Sequence, residues 1–154
     1  MSIILFELKI QDAIRHYLIY QERYIIMYKI DFNSPIHIHF IGIGGISMSG
    51  LAHILREKNF TISGSDSAES ALTDELTAAG CTIHYPQKAE NITDDIDLVV
   101  YTAAIRDDNP ELARAKACGI TCITRAELLG GIMHNYDVAL NIAGTHGKTT
   151  TTSM

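Results

Sequence analysis

Between Pro35 and His134 short β-rich apolar runs alternate with segments of helical period, and no other feature limits the possible folds as much. Residues 36–41, 60–64, 81–85, 97–102 and 120–124 read as strands, and 46–58, 69–79, 110–117 and 125–134 as helices. Met48, Leu51, Ala52, Ile54 and Leu55 place one apolar stripe on the first helix. Gly80 and Gly119 stand just past helix ends, and Asn109-Pro110 supplies an N-cap and a first helical residue. The apolar centre of 97–102 is unbroken, as in a strand buried on both faces. Strands that alternate with helices over short connections pair in parallel through right-handed crossovers. The expected class is α/β, a parallel sheet with helices on both faces.

Other features bound the remainder. A chain of 154 residues has room for one domain with a full core, and not for two. A net charge of −6 leaves no basic surplus to neutralise a phosphate backbone, which argues against a general nucleic-acid binder. No apolar stretch reaches bilayer-spanning length, and Ile3-Ile4-Leu5-Phe6 is too short for a signal-peptide core. Cys81, Cys118 and Cys122 read as buried thiols of a reducing cytoplasm. Ile10, Ile14, Tyr17 and Leu18 have helical spacing, which predicts an amphipathic extension over about 7–28. Met27 is an equally good natural start. Tyr17, Tyr20, Tyr24 and Tyr28 recur at the same spacing and read as packing residues. The organisation predicted is an N-terminal helical extension over 1–34, a sheet domain over 35–135, and the start of a second domain over 136–154.

Two glycine-rich turns carry the chemistry. Gly42-x-Gly44-Gly45-x-Ser47-Met48-Ser49-Gly50 joins the first strand to the first helix, the position of a dinucleotide-type phosphate turn, and makes the expected domain Rossmann-like. Gly42 permits the tight turn, Gly44 or Gly45 admits a pyrophosphate, and the helix start supplies partial positive charge. Ser47 replaces the third glycine of that fingerprint. Asp66 ends the second strand, where a carboxylate can meet a ribose hydroxyl or simply cap the following turn. The second turn, Gly144-Thr145-His146-Gly147-Lys148-Thr149-Thr150, follows the apolar run at 138–143. It departs from G-x-x-x-x-G-K-[ST] because Gly144 stands only three residues before Gly147. The chemistry survives the shortening: Gly147 frees the backbone, Lys148 reaches phosphate oxygens, and Thr149 or Thr150 can face Mg²⁺. His146 lies within the loop, to orient a nucleotide or by chance. This is the expected ATP site, broken off at its start by the chain end at Met154. His37 and His39 share a strand face with no Asp, Glu or Cys at ligand spacing, so they read as satisfied or exposed strand histidines.

In order along 27–154, the stretches His39 to Gly50, Gly64-Ser65-Asp66, Thr102-Ala103-Ala104-Ile105, Asp108-Asn109-Pro110-Glu111, Arg125-Ala126-Glu127-Leu128-Leu129 and Ala143 to Thr152 resemble the Mur ligase family, in particular its UDP-N-acetylmuramate–L-alanine ligases. The resemblance implies a cytoplasmic step of peptidoglycan-precursor assembly with ATP and Mg²⁺. The lactyl carboxylate of UDP-N-acetylmuramate is phosphorylated, and the amine of L-alanine attacks the acyl phosphate. It implies that Gly42, Gly44, Gly45, Ser47, Met48 and Ser49 hold the UDP pyrophosphate. Ser65 and Asp66 would read the uridine end, and Thr102 and Ala103 would line the same crevice. Gly144, Thr145, His146, Gly147, Lys148, Thr149 and Thr150 would cradle ATP, with Lys148 catalytic and Thr149 facing Mg²⁺ through the nucleotide. Ser47 stands where the family more often has glycine, and residues 1–26 match nothing in its pattern. The alanine site belongs to family domains beyond this stretch, so the expectation is a UDP-sugar-binding fragment without ligase activity alone. Two alternatives stand beside it: an NAD(P)-binding module, which leaves 144–150 unexplained, and the related ligase that reattaches a recycled peptide to the same sugar.

Overall fold

A computed structural model describes residues 28–138. Its elements are β1 (His37–Ile41), α1 (Ile46–Glu57), β2 (Thr61–Ser65), α2 (Ala71–Ala78), β3 (Thr82–His84), β4 (Leu98–Tyr101), α3 (Pro110–Ala117), β5 (Thr121–Thr124) and α4 (Arg125–Met133), with a 3₁₀ turn at Ala89–Asn91. All five strands are parallel and lie in the order β3-β2-β1-β4-β5. The α/β, Rossmann-like reading holds.

Local chemistry sets the element ends. Ser70 accepts the Thr73 N–H while the Thr73 hydroxyl accepts the Ser70 N–H, so α2 starts at Ala71, two residues later than its periodicity suggested. Asn109 caps α3 through the N–H groups of Glu111 and Leu112. Gly80 (φ 89°) and Gly119 (φ 74°) end α2 and α3 in the left-handed conformation. Asp97 lies outside β4, its carboxylate accepting the His37 N–H.

The strands send alternate residues to two unlike layers. Ile38, Phe40, Leu98 and Val100 pack under α1, α2 and α4, against Leu55, Leu76, Leu128 and Ile132. Ile41 and Val99 face the other way, onto Leu112 and Ala115 of α3 and onto Ile92 and Ile96. Among the described residues that second layer holds a single helix. The connection from β3 to β4 carries the 3₁₀ turn where strict alternation would place another.

Residues 28–34 belong to this packed unit, although the sequence drew its start at Pro35. Ile30 is buried in the core, and Phe32 meets Phe60 and Tyr136 edge to face. Asn135 clamps the segment, donating to the Ile30 carbonyl and accepting the Phe32 N–H. Tyr28 packs half-buried against the same cluster and is not helical; Tyr17, Tyr20 and Tyr24 lie outside the described residues. The cysteines divide. Cys81 is buried and Cys122 half-buried, and burial pushes both thiols up. Cys118 is exposed, contrary to the sequence reading, because it caps the end of α3 where the chain turns away at Gly119.

Candidate functional site

From β1 the chain moves to β2 on one side, while β4 joins β1 on the other. The loops after β1 and β4 therefore diverge and leave a crevice at the carboxyl ends of the strands, the usual ligand position in such a sheet. Gly42 enters it at φ 82°, a conformation that favours glycine. Its N–H and that of Ile43 both donate to the Ser65 carbonyl, at 2.8 and 3.0 Å, which hangs the turn on the end of β2. The Gly44 N–H donates to Asp66 Oδ2 at 2.8 Å.

The helix that follows differs from its neighbours. Side chains of Ser70, Asn109 and Thr124 cap α2, α3 and α4. Helix α1 starts at Gly45 with no side-chain cap and no acidic residue in its first turn. Its leading N–H groups and positive dipole end thus face the crevice with no side-chain cap, the Asp66 carboxylate taking only the Gly44 N–H ahead of the helix, as a phosphate-binding start requires.

The predicted residues distribute as follows. Gly45 and Ser47 are exposed and Gly44 half-buried, all at the mouth of the turn. The Met48 side chain is in the core, so its N–H alone can serve a ligand. Ser49 is buried and its hydroxyl donates to the Ile46 carbonyl at 3.1 Å. Thr102 is half-buried and Ala103 exposed, just beyond β4; Ile105 of the same loop lies beside Gly42. Both oxygens of Asp66 have partners, Oδ2 the Gly44 N–H and Oδ1 the N–H and hydroxyl of Ser67. Asp66 thus braces the turn from the side. Residues 144–150, with Lys148 and Thr149, lie outside the described residues.

A buried polar network behind the turn escaped sequence reasoning. Glu111, fully buried on α3, accepts the Ser65 hydroxyl at Oε2 and the Asn91 amide at Oε1, the latter at 2.6 Å. His39 is also fully buried, its Nδ1 2.9 Å from Ser63 Oγ and its Nε2 3.6 Å from Glu111 Oε2. The latter distance is ionic contact rather than a hydrogen bond, and Nε2 has no other partner. Burial pushes the Glu111 carboxyl up, but the nearby His39 and the donors Ser65 and Asn91 outweigh it and hold the group below its usual range. A signal was present: Glu111, Leu112 and Ala115 share the buried stripe of α3. Two open concavities, of about 540 Å³ beside Asp94 and Arg114 and about 430 Å³ beside His53 and Arg56, are lined by no residue of the turn.

The Mur ligase family model, described as the family's catalytic domain, matches residues 37–137. The chain belongs to the Mur ligase family. A UDP-N-acetylmuramate–L-alanine ligase of Lachnospira eligens is 72% identical over 128 residues, 83% of this chain and 28% of that protein. Its counterpart in Acetivibrio thermocellus is 57% identical over 125 residues, 81% of this chain and 26% of that protein. Among solved structures, the UDP-N-acetylmuramate-alanine ligase of Thermotoga maritima superposes with a TM-score of 0.62 at 36% identity, over 65% of this chain and 23% of that one. The UDP-N-acetylmuramate:L-alanyl-gamma-D-glutamyl-meso-diaminopimelate ligase of Neisseria meningitides superposes at 0.70 and 32% identity, over 78% and 38%. This Mur ligase chain thus spans little more than a quarter of the length of the curated relatives it matches. Among its described residues no helix is long and apolar enough to cross a membrane.

Proposed function

We propose that this chain is the UDP-sugar-binding part of a cytoplasmic ligase that joins L-alanine to UDP-N-acetylmuramate at the expense of ATP. The observation that carries the proposal is the uncapped start of α1 on a glycine turn at the switch point of the sheet. A pyrophosphate there would take the free N–H groups of Ser47 and Met48, with Gly44 and Gly45 letting it approach the backbone, Ser49 closing the first helical turn onto the Gly45 carbonyl, and Gly42 shaping the loop. Ser65 and Asp66 would border the uridine end, and Thr102 and Ala103 the far wall of the crevice. Relatives named for L-alanine at 72% and 57% identity support the alanine reading over the recycled-peptide one.

Phosphoryl transfer would fall to residues 144–150, with Lys148 on the transferring group and Thr149 toward Mg²⁺. ATP and the ion supply the activation of the carboxylate. What the described residues do is bind and orient the sugar nucleotide. This chain alone is expected to release no ADP in an alanine-dependent manner. Calorimetric titration with UDP-N-acetylmuramate, with NADH and ATP as controls, tests the proposal. Heat from the sugar nucleotide and none from NADH supports it; the reverse pattern sinks it in favour of a nicotinamide module.

A further inference from the structure

Of the four residues between β1 and α1, only Ile43 is buried. Gly42 and Gly44 on either side of it are half-buried and Gly45 is exposed, yet Ile43 is 0% exposed and belongs to the main apolar cluster. Its N–H shares the Ser65 carbonyl with that of Gly42. Ile43 is thus held to β2 by its backbone, and its side chain reaches the same strand.

What receives that side chain is Gly64. It pairs with Phe40 across β1 and β2, two residues beyond the buried Ile62 and therefore on the same face of the strand. A Cβ built on Gly64 would fall 2.6 Å from Ile43 Cδ1, 2.9 Å from Ile43 Cβ and 2.9 Å from the Phe40 carbonyl oxygen. All three are closer than Cβ atoms come to other heavy atoms in folded proteins. Backbone conformation gives glycine no other reason to stand here. Gly64 keeps ordinary strand geometry, unlike Gly42, Gly80 and Gly119, whose φ values are positive. A glycine inside a strand costs stability relative to alanine, because it loses more chain entropy and packs nothing. At Gly64 the missing Cβ is the space that Ile43 fills.

We propose that Ile43 is a positioning residue of the nucleotide turn and Gly64 its socket, so that affinity for the sugar nucleotide depends on how deeply Ile43 seats against β2. The proposal deepens the UDP-sugar reading and rests on it for the ligand. Three consecutive residues at the end of β2 receive three of the turn. Gly64 takes the Ile43 side chain, the Ser65 carbonyl takes the Gly42 and Ile43 N–H groups, and Asp66 takes the Gly44 N–H. Gly44 and Gly45 have no side chains to fix them, so their place depends on Ile43 before them and on Met48 in the core after them. Phe40 is paired on both sides, to β2 and β4, so a larger residue at position 64 displaces Ile43 rather than β1. Moving Ile43 off β2 draws the Gly44 N–H from Asp66 and shifts the glycines over which a pyrophosphate would meet the Ser47 and Met48 N–H groups.

The test is calorimetric affinity for UDP-N-acetylmuramate, with amide exchange at Gly42 and Ile43, in the 154-residue chain and its variants. Gly64→Ala fills the socket and Ile43→Ala empties it. Leu128→Ala opens a cavity in the same apolar cluster from α4, two strands away from the turn, as the control. Gly64→Ala and Ile43→Ala should each weaken binding at least roughly tenfold and speed exchange at both amides, while Leu128→Ala binds like wild type. Ile43→Val, which loses only Cδ1, should show a smaller loss and serves where Ile43→Ala does not fold. The shortest contact is to that Cδ1. Gly64→Ala combined with Ile43→Val should therefore recover part of the affinity that Gly64→Ala loses, a non-additive result that general destabilisation does not produce. Wild-type affinity in Gly64→Ala, an equal loss in Leu128→Ala, or no recovery in the double variant would overturn the proposal. A wild-type chain that binds no sugar nucleotide would count against the UDP-sugar reading and leave the decision to exchange. Faster exchange in Gly64→Ala that slows again in the double variant upholds the socket, and unchanged exchange overturns it.

Discussion

The two faces of the sheet are built from the same strands and have opposite chemistry. On one, Ile38, Phe40, Leu98 and Val100 meet three helices in a dry apolar layer. On the other, His39 alternates with Ile38 and Phe40 along β1, meets Ser63 of β2 and faces a buried glutamate. The dry face supplies most of the stability, since its packing needs no partner beyond shape and area. The second face carries a smaller apolar cluster around Ile41, Val99 and Leu112, and its polar groups supply position, because each is held by a directed contact with the next. The nucleotide turn draws on both, its N–H groups hung from Ser65 of the polar network and its Ile43 side chain seated in the dry layer.

Substitutions can break this contrast. Phe40→Ala on the dry face should have the largest effect on folding, about 3–5 kcal/mol by denaturant titration. A loss no larger than that from Glu111→Gln would erase the distinction between the layers. Glu111→Gln should cost about 1–3 kcal/mol near neutral pH. The Glu111 carboxyl is held below its usual range, so its contribution is complete above the unfolded value and disappears as pH falls through the folded one. The gap between wild type and variant should therefore close on acidification, as urea melts in neutral and acidic buffer would show; a gap independent of pH would speak against an ionised Glu111.

The smallest effects sharpen the contrast further. A Cβ at Gly44 would fall 2.8 Å from Asp66 Oδ2, which must swing off the turn, and 3.2 Å from Cγ2 of the buried Thr73, which must give by a few tenths of an ångström. Gly44→Ala should change stability by less than about 1 kcal/mol yet weaken sugar-nucleotide binding at least roughly tenfold. Thr124→Ala removes the cap of α4, two strands away from the turn, and should show the reverse: about 1 kcal/mol of stability lost and binding unchanged. Paired melting and calorimetric curves would separate the two.

Much of this was legible in the sequence. Five strands, four helices, the caps at Asn109 and Gly119 and the first glycine turn all follow from patterns that act within a few residues, such as alternation, helical period and side-chain capping. The partner of Asp66 was not among them. Sequence spacing suggested a ribose contact or a local cap, whereas the fold turns its carboxylate onto Gly44, 22 residues earlier. Nor could strand alternation say which layer His37 and His39 would face, since that depends on which helices cover each side.

The sequence by itself determined which segments are strands and helices and where a phosphate could meet the backbone, because those are short-range preferences. Only the tertiary structure decided that Glu111 would reach Ser65 across 46 residues, and that Asn135 would clamp Ile30 across 105. Those meetings depend on strand order and register, which parallel crossovers fix over distances that no local pattern spans.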